Sequence, residues 1–177
     1  MRITRMKNNH RGFTLIELLI YVTIFSTMIG AVVGLAAIAT AQKASSQITS
    51  DVNYQGEATM ALLSQTIHQA TSITSPTVGT TGGSLTLVMP ASSVNPTVFT
   101  SYNDGTTNRL QMKEGSTPIS NYLTNSHASL SNLVFTNMSL PSTKGSVLIK
   151  FTLTYRTTSA RQELQFSKTF YGAATIP

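Results

Sequence analysis

The chain has 177 residues, a formal net charge of +6, only 10% charged residues and no cysteine. The missing cysteines exclude disulfides, CxxC redox chemistry and thiolate metal sites. Four of the basic residues (Arg2, Arg5, Lys7, Arg11) precede Gly12. The other eight (Lys43, Arg109, Lys113, Lys144, Lys150, Arg156, Arg161, Lys168) are scattered among six acids, so no clustered basic footprint marks a nucleic-acid-binding domain.

The first element is a short basic leader that meets an apolar run at Arg11-Gly12-Phe13. From Phe13 to Ala41 Glu17 alone carries a charge. About 20 apolar residues suffice to cross a bilayer as a helix, so this run spans with length to spare. Basic residues before a first apolar helix hold that end in the cytoplasm and place the residues after Ala41 outside. Ser and Thr exceed a quarter of the chain, a composition that suits an exported β-rich domain. A carboxylate inside a membrane span costs about 3 kcal/mol at the helix centre and less near an end, so Glu17 calls for a partner.

Two processing readings compete. In one, Ala39-Thr40-Ala41 is a signal-peptidase site, and a secreted binding domain or enzyme begins at Gln42; the apolar run, however, is about twice the usual h-region and carries an acid. In the other, cleavage falls after Gly12 and the whole helix is kept. That cut turns the neutral amide of Phe13 into a cationic amine four residues from Glu17, at the helix end whose dipole also favours an acid. The second reading gives Glu17 a partner, on its own chain or on the next subunit of a helical bundle.

The stretch Arg11-Gly12-Phe13-Thr14-Leu15-Ile16-Glu17, followed by an apolar helix, resembles the processing and methylation motif of type IV prepilins and type II secretion pseudopilins. The resemblance covers about residues 7 to 41. It implies cleavage between Gly12 and Phe13, N-methylation of Phe13, and a role for Glu17 in aligning subunits during assembly. The implied partners are a prepilin peptidase/methyltransferase, other pilin or pseudopilin subunits, an inner-membrane assembly platform and membrane lipid, with no nucleic-acid contact. The implied location is the inner membrane, single-pass with the C-terminal domain outside, and then a surface or periplasmic filament. Without cysteines the C-terminal disulfide loop of many major pilins is impossible, and the chain resembles a minor pilin or a J- or W-type pseudopilin. Some major pseudopilins hold calcium in an acidic C-terminal loop; no comparable acids come after Glu163, so no metal and no cofactor is expected.

Gly30 and Gly34 form a G-x-x-x-G, readable as a close helix–helix contact or as the ordinary small-residue content of membrane helices. From Gln42 the pattern turns amphipathic, with Ile48, Val52, Leu63 and Ile67 near a 3.6-residue period. No proline intervenes before Pro76, so one helix is predicted from about Phe13 to Ser72, with Gly56 the expected place for a bend.

Residues 74–83 read as a loop, and alternation then predicts strands. Leu85, Leu87 and Met89 share a face. Val98-Phe99 and Leu110–Met112 make a hairpin around Asn103-Asp104-Gly105. Leu133-Val134-Phe135 is a short apolar run. In 147–155, Val147, Ile149, Phe151, Leu153 and Tyr155 point one way, with Leu148 the exception. Leu164, Phe166 and Phe170 mark a last strand.

No hydrolase elbow, metalloprotease helix, phosphate loop or dinucleotide fingerprint is present. His68 and His127 lack neighbours at metal-ligand or acid–base spacing, and Gly79–Gly83 is a connector without the lysine of a phosphate cradle. The expected product is a structural subunit and not an enzyme. Its fold is α+β and pilin-like: a long N-terminal helix, half membrane-spanning and half amphipathic, packed on an antiparallel β-sheet domain. The expected boundaries are 1–12 for the leader, 13–41 for the membrane helix, 42–72 for the amphipathic helix and 73–177 for the β-rich domain.

Overall fold

In the computed structural model, residues 12–116, 120–140, 145–157 and 164–177 are described; the leader as far as Arg11, and the stretch holding Arg161 and Glu163, lie outside them. Thr14 begins the first element. Its carbonyl and its hydroxyl accept the Glu17 N–H at 3.1 and 3.4 Å, and its carbonyl also accepts from Leu18 at 3.2 Å. This is how a threonine N-cap satisfies donors that a helix start would otherwise orphan. Helix α1 then runs Leu15–Gln69. It ends three residues before the predicted Ser72, where the chain turns into β-structure: Thr71 donates its N–H to Val88 O at 2.8 Å and a strand begins at Ser72.

The chain divides into two units, Met1–Gln42 and Lys43–Pro177. In the first, every described residue from Gly12 to Thr40 is exposed. In the second, α1 buries Ile48, Val52, Leu63 and Ile67, the predicted stripe, and fills the gap between Val52 and Leu63 with Gln55, Gly56 and Thr59. Those three contact the rest of the domain. Gln55 donates to Asp51 Oδ2 at 2.9 Å and accepts from Asn125 N at 3.2 Å, and Thr59 donates to Leu123 O at 3.4 Å. Gly56, the expected place for a bend, lies within the helix as a buried contact point beneath Phe170.

Among the described residues nine strands come next: β1 Ser72–Ser75, β2 Thr81–Gly82, β3 Ser84–Val88, β4 Thr97–Asn103, β5 Asn108–Glu114, β6 Ser120–Tyr122, β7 Ala128–Asn137, β8 Ser146–Tyr155 and β9 Ser167–Thr175. They form two antiparallel sheets, of order β1-β3-β4-β5-β6 and β2-β7-β8-β9. The layout is the predicted α+β pilin-like one, a long helix with antiparallel sheet, although the strands divide between two sheets where one was expected. The core joins α1 to both through Val52, Leu63, Ile67, Leu85, Leu87, Phe99, Leu110, Phe135, Ile149 and Phe151, all fully buried.

The predicted hairpin is β4–β5, with Tyr102 opposite Arg109 and Asn103 opposite Asn108. Its turn is held by Asp104, whose carboxylate accepts from the Thr106 hydroxyl, Thr106 N and Thr107 N at 2.7, 2.9 and 2.7 Å. In β8 Val147, Ile149, Phe151 and Leu153 are buried and Leu148 is exposed, as the alternation required. The predicted loop 74–83 contains the two-residue β2, which pairs with Thr136 and Phe135. The last strand starts at Ser167, so Leu164 and Phe166 precede it.

Candidate processing and assembly site

The apolar half of α1 is built to be self-sufficient in hydrogen bonds. Beyond the Thr14 cap, every Ser and Thr as far as Thr40 is satisfied within the helix: Thr23 donates to Ile20 O, Ser26 to Val22 O and Thr27 to Ile24 O, each at 2.8 Å, and Thr40 to Ala37 O at 2.9 Å. Back-bonding of this kind removes the cost of a hydroxyl where no water can reach it. The helix is long and apolar enough to cross a membrane.

At its start, Gly12 and Phe13 lie outside the helix and are exposed, so the peptide bond between them is on a non-helical segment. The Phe13 ring rests on Tyr21, with centroids 5.8 Å apart. Glu17 lies in the first turn of α1, on the N-terminal end that bears the positive dipole. Among the described residues its carboxylate makes no hydrogen bond and no ion pair. The role of Thr14 is one that motif reading misses, yet Thr14-Leu15-Ile16-Glu17 has the T-x-x-E spacing of a capping box, which is the available signal.

Gly30 and Gly34 are both exposed, and a Cβ at either would meet nothing within 4 Å. Four residues apart, they leave one open, side-chain-free strip on the helix surface.

In the second unit a cleft of about 780 Å³ opens between Ala44, Gln47, Ile48 and Asp51 of α1 and Ser126, His127, Tyr155 and Arg156. Its charged groups are engaged in holding the fold: Asp51 accepts from Gln55, and Arg156 donates Nη1 to Thr107 Oγ1 at 3.1 Å and its N–H to His127 O at 2.8 Å. Among the described residues no group of three or more His, Asp or Glu could hold a metal ion.

A family model described as the prokaryotic N-terminal methylation motif matches residues 7–33. No curated protein and no solved structure matches the chain. The matched stretch is the prepilin-type motif of type IV pilins and pseudopilins. Together with the long apolar helix near the N-terminus, it supports a pilin- or pseudopilin-like precursor with an inner-membrane anchor and a C-terminal domain. Proteins bearing this motif are typically structural rather than enzymatic.

Proposed function

We propose that this chain is the precursor of a filament subunit, a minor pilin or pseudopilin, that is cut between Gly12 and Phe13, methylated at Phe13 and assembled through Glu17. The observation that carries the reading is an unpartnered carboxylate in the first turn of an exposed apolar helix, four residues after a non-helical Gly-Phe bond. In the precursor the acid is a liability. Cleavage creates a cation within reach of it, and an opposite charge within about 4–6 Å favours the ionised acid.

These steps imply the partners: a membrane peptidase/methyltransferase for the cut, an inner-membrane platform and further subunits for assembly, and lipid around residues 13–41 until the helix enters the filament core. The open strip at Gly30 and Gly34 suits close approach of a neighbouring helix, where small residues let backbones come together. The C-terminal domain lies outside the membrane, first beside it and then on the filament.

Glu17→Ala tests the pairing. The variant keeps the cleavage bond and the Thr14 cap, so it is processed normally. It enters filaments at least about tenfold less than the wild type, the equivalent of losing roughly 1.4 kcal/mol of subunit docking. Wild-type incorporation of a fully processed Glu17→Ala chain contradicts the assembly role.

A further inference from the structure

On the outer face of the five-stranded sheet, away from Phe99 and Leu110, three strands bring four side chains together. Tyr102 on β4 stands opposite Arg109 on β5, and Gln111, two residues on, stands opposite Tyr122 on β6. The tyrosine rings are 5.8 Å apart and tilted by 41°. The Arg109 guanidinium lies 4.7 Å over the Tyr122 ring, and its Nη1 is 3.8 Å from Asp104 Oδ2. Both tyrosines are 42% exposed, while Gln111 is 3% exposed.

Arg109 Nε and Gln111 Oε1 are the buried side-chain nitrogen and oxygen that have no hydrogen-bond partner among the described residues. Folded proteins seldom leave such atoms unpaired, and a cluster of them asks for an explanation. Here both fall on one face of one strand, beside the same ring, and one is a donor while the other is an acceptor. An anion would satisfy Arg109 Nε but would face the Gln111 oxygen and the Asp104 carboxylate. A cation would meet the reverse conflict. A hydroxyl accepts and donates at once, so it answers both atoms.

The surroundings narrow the choice further. Two half-exposed aromatic faces offer apolar area suited to the C–H face of a sugar ring, with polar groups converging beside them. A nucleic-acid strand would also stack on tyrosines, but it needs a cationic track for its phosphates. Asp104 offsets Arg109 here, and Lys113 is the one other cation on this face of β5. The Tyr122 ring lies against the Arg109 guanidinium, and Tyr122 is paired in register with Gln111. Strand β6 is the outermost of its sheet among the described residues, so an outward movement of this ring displaces no described neighbouring strand.

We propose that Tyr102, Arg109, Gln111 and Tyr122 form a binding site for a neutral saccharide, one hydroxyl of which accepts a hydrogen bond from Arg109 Nε–H and donates one to Gln111 Oε1 while a ring face rests on the tyrosines. The site is independent of the processing and assembly steps and lies in the domain those steps carry outward.

The test uses the full chain in lauryldimethylamine oxide, because glycosidic detergents would compete. Saturation-transfer NMR and calorimetry are run with cellotetraose, chitotetraose and mannotetraose, with a short oligothymidylate as the nucleic-acid probe. At least one tetrasaccharide binds saturably, and Arg109→Leu and Tyr122→Ala each weaken it by about tenfold or more. Tyr171→Ala, which removes an exposed ring from the other sheet, leaves binding unchanged. Should Arg109→Leu disturb the neighbouring turn, Tyr102→Ala supplies the same readout from a half-exposed position. The proposal is overturned if no tetrasaccharide binds at up to about 20 mM, if the tyrosine variants bind like wild type, or if only the oligothymidylate binds.

Discussion

The backbone of Gly56, within the buried stripe of α1, faces the ring of Phe170 so closely that a Cβ on residue 56 would overlap three of the ring carbons. Phe170 cannot yield easily, because it is buried and stacks on Phe151 at 5.3 Å between centroids. Two effects of a Gly56→Ala change oppose each other. Helix propensity gains about 1 kcal/mol, whereas forcing atoms into a packed core costs about 1–3 kcal/mol. The rigid ring makes the second prevail, so Gly56→Ala lowers stability by about 1 kcal/mol and Gly56→Leu by about 3 kcal/mol. A thermal melt in which Gly56→Ala is more stable than wild type contradicts this packing.

Asn137 joins the connector after β1 to the end of β7. Its Nδ2 donates to Pro76 O at 2.8 Å, its Oδ1 accepts from Ser139 N at 3.0 Å, and its backbone bonds Gly79 N and Thr80 O at 2.8 and 3.0 Å. The residue is 2% exposed. Asn137→Ala orphans a carbonyl and an N–H, each worth about 1–3 kcal/mol when buried and unpaired. The expected loss is about 2–4 kcal/mol in denaturant unfolding. A loss within about 0.5 kcal/mol, the range of an ordinary surface change, rules out the latch.

Asp104 makes the hairpin turn sensitive to acid. The Thr106 hydroxyl first, then the N–H groups of Thr106 and Thr107, with Arg109 adding a smaller attraction, hold its carboxyl at about 2, below the usual 3.8. The folded state thus binds this proton less readily than the unfolded chain. The contribution is complete above about pH 4 and is lost as the pH falls toward 2. Asp104→Asn removes that dependence, so the gap in melting temperature between wild type and variant narrows across this window. Two curves that stay parallel from pH 5 to about pH 2 would show that the turn is not coupled to this proton.

How much of the fold could be read in advance depended on whether local pattern decided it. The alternation through Val147, Ile149, Phe151 and Leu153 was legible because each residue packs on the same core. The β4–β5 hairpin was legible because Asn103 and Asp104 act on their own backbone. The division into two sheets was not: β2 is only Thr81–Gly82, and its partners Thr136 and Phe135 lie more than fifty residues on, fixed by packing and not by a local signal. The C-terminal end of β9 was hidden for a related reason. Gly172 and Ala174 occupy inward positions usually marked by large apolar residues, and Met60 of α1 fills the space against Gly172 instead. In α1 the buried Gln55 and Thr59 interrupt the apolar period because they bond the 123–125 segment, a partner no periodicity reveals. At the candidate site, Gly12, Phe13 and Glu17 were visible as a motif and the Thr14 cap carried an unused T-x-x-E signal, whereas the Phe13–Tyr21 contact emerged only from geometry.

The central claim is that the Gly12–Phe13 bond is cut and the apolar helix is kept, and the N-terminal mass of the protein recovered from cells tests it most directly. Gly12→Val places a branched side chain beside the scissile bond and serves as the uncut reference. The wild-type chain is expected to begin at N-methylated Phe13, and Gly12→Val at Met1. A wild-type chain beginning at Gln42 would mean that the helix is discarded as a signal, and one beginning at Met1 would mean a permanent anchor; either contradicts the account.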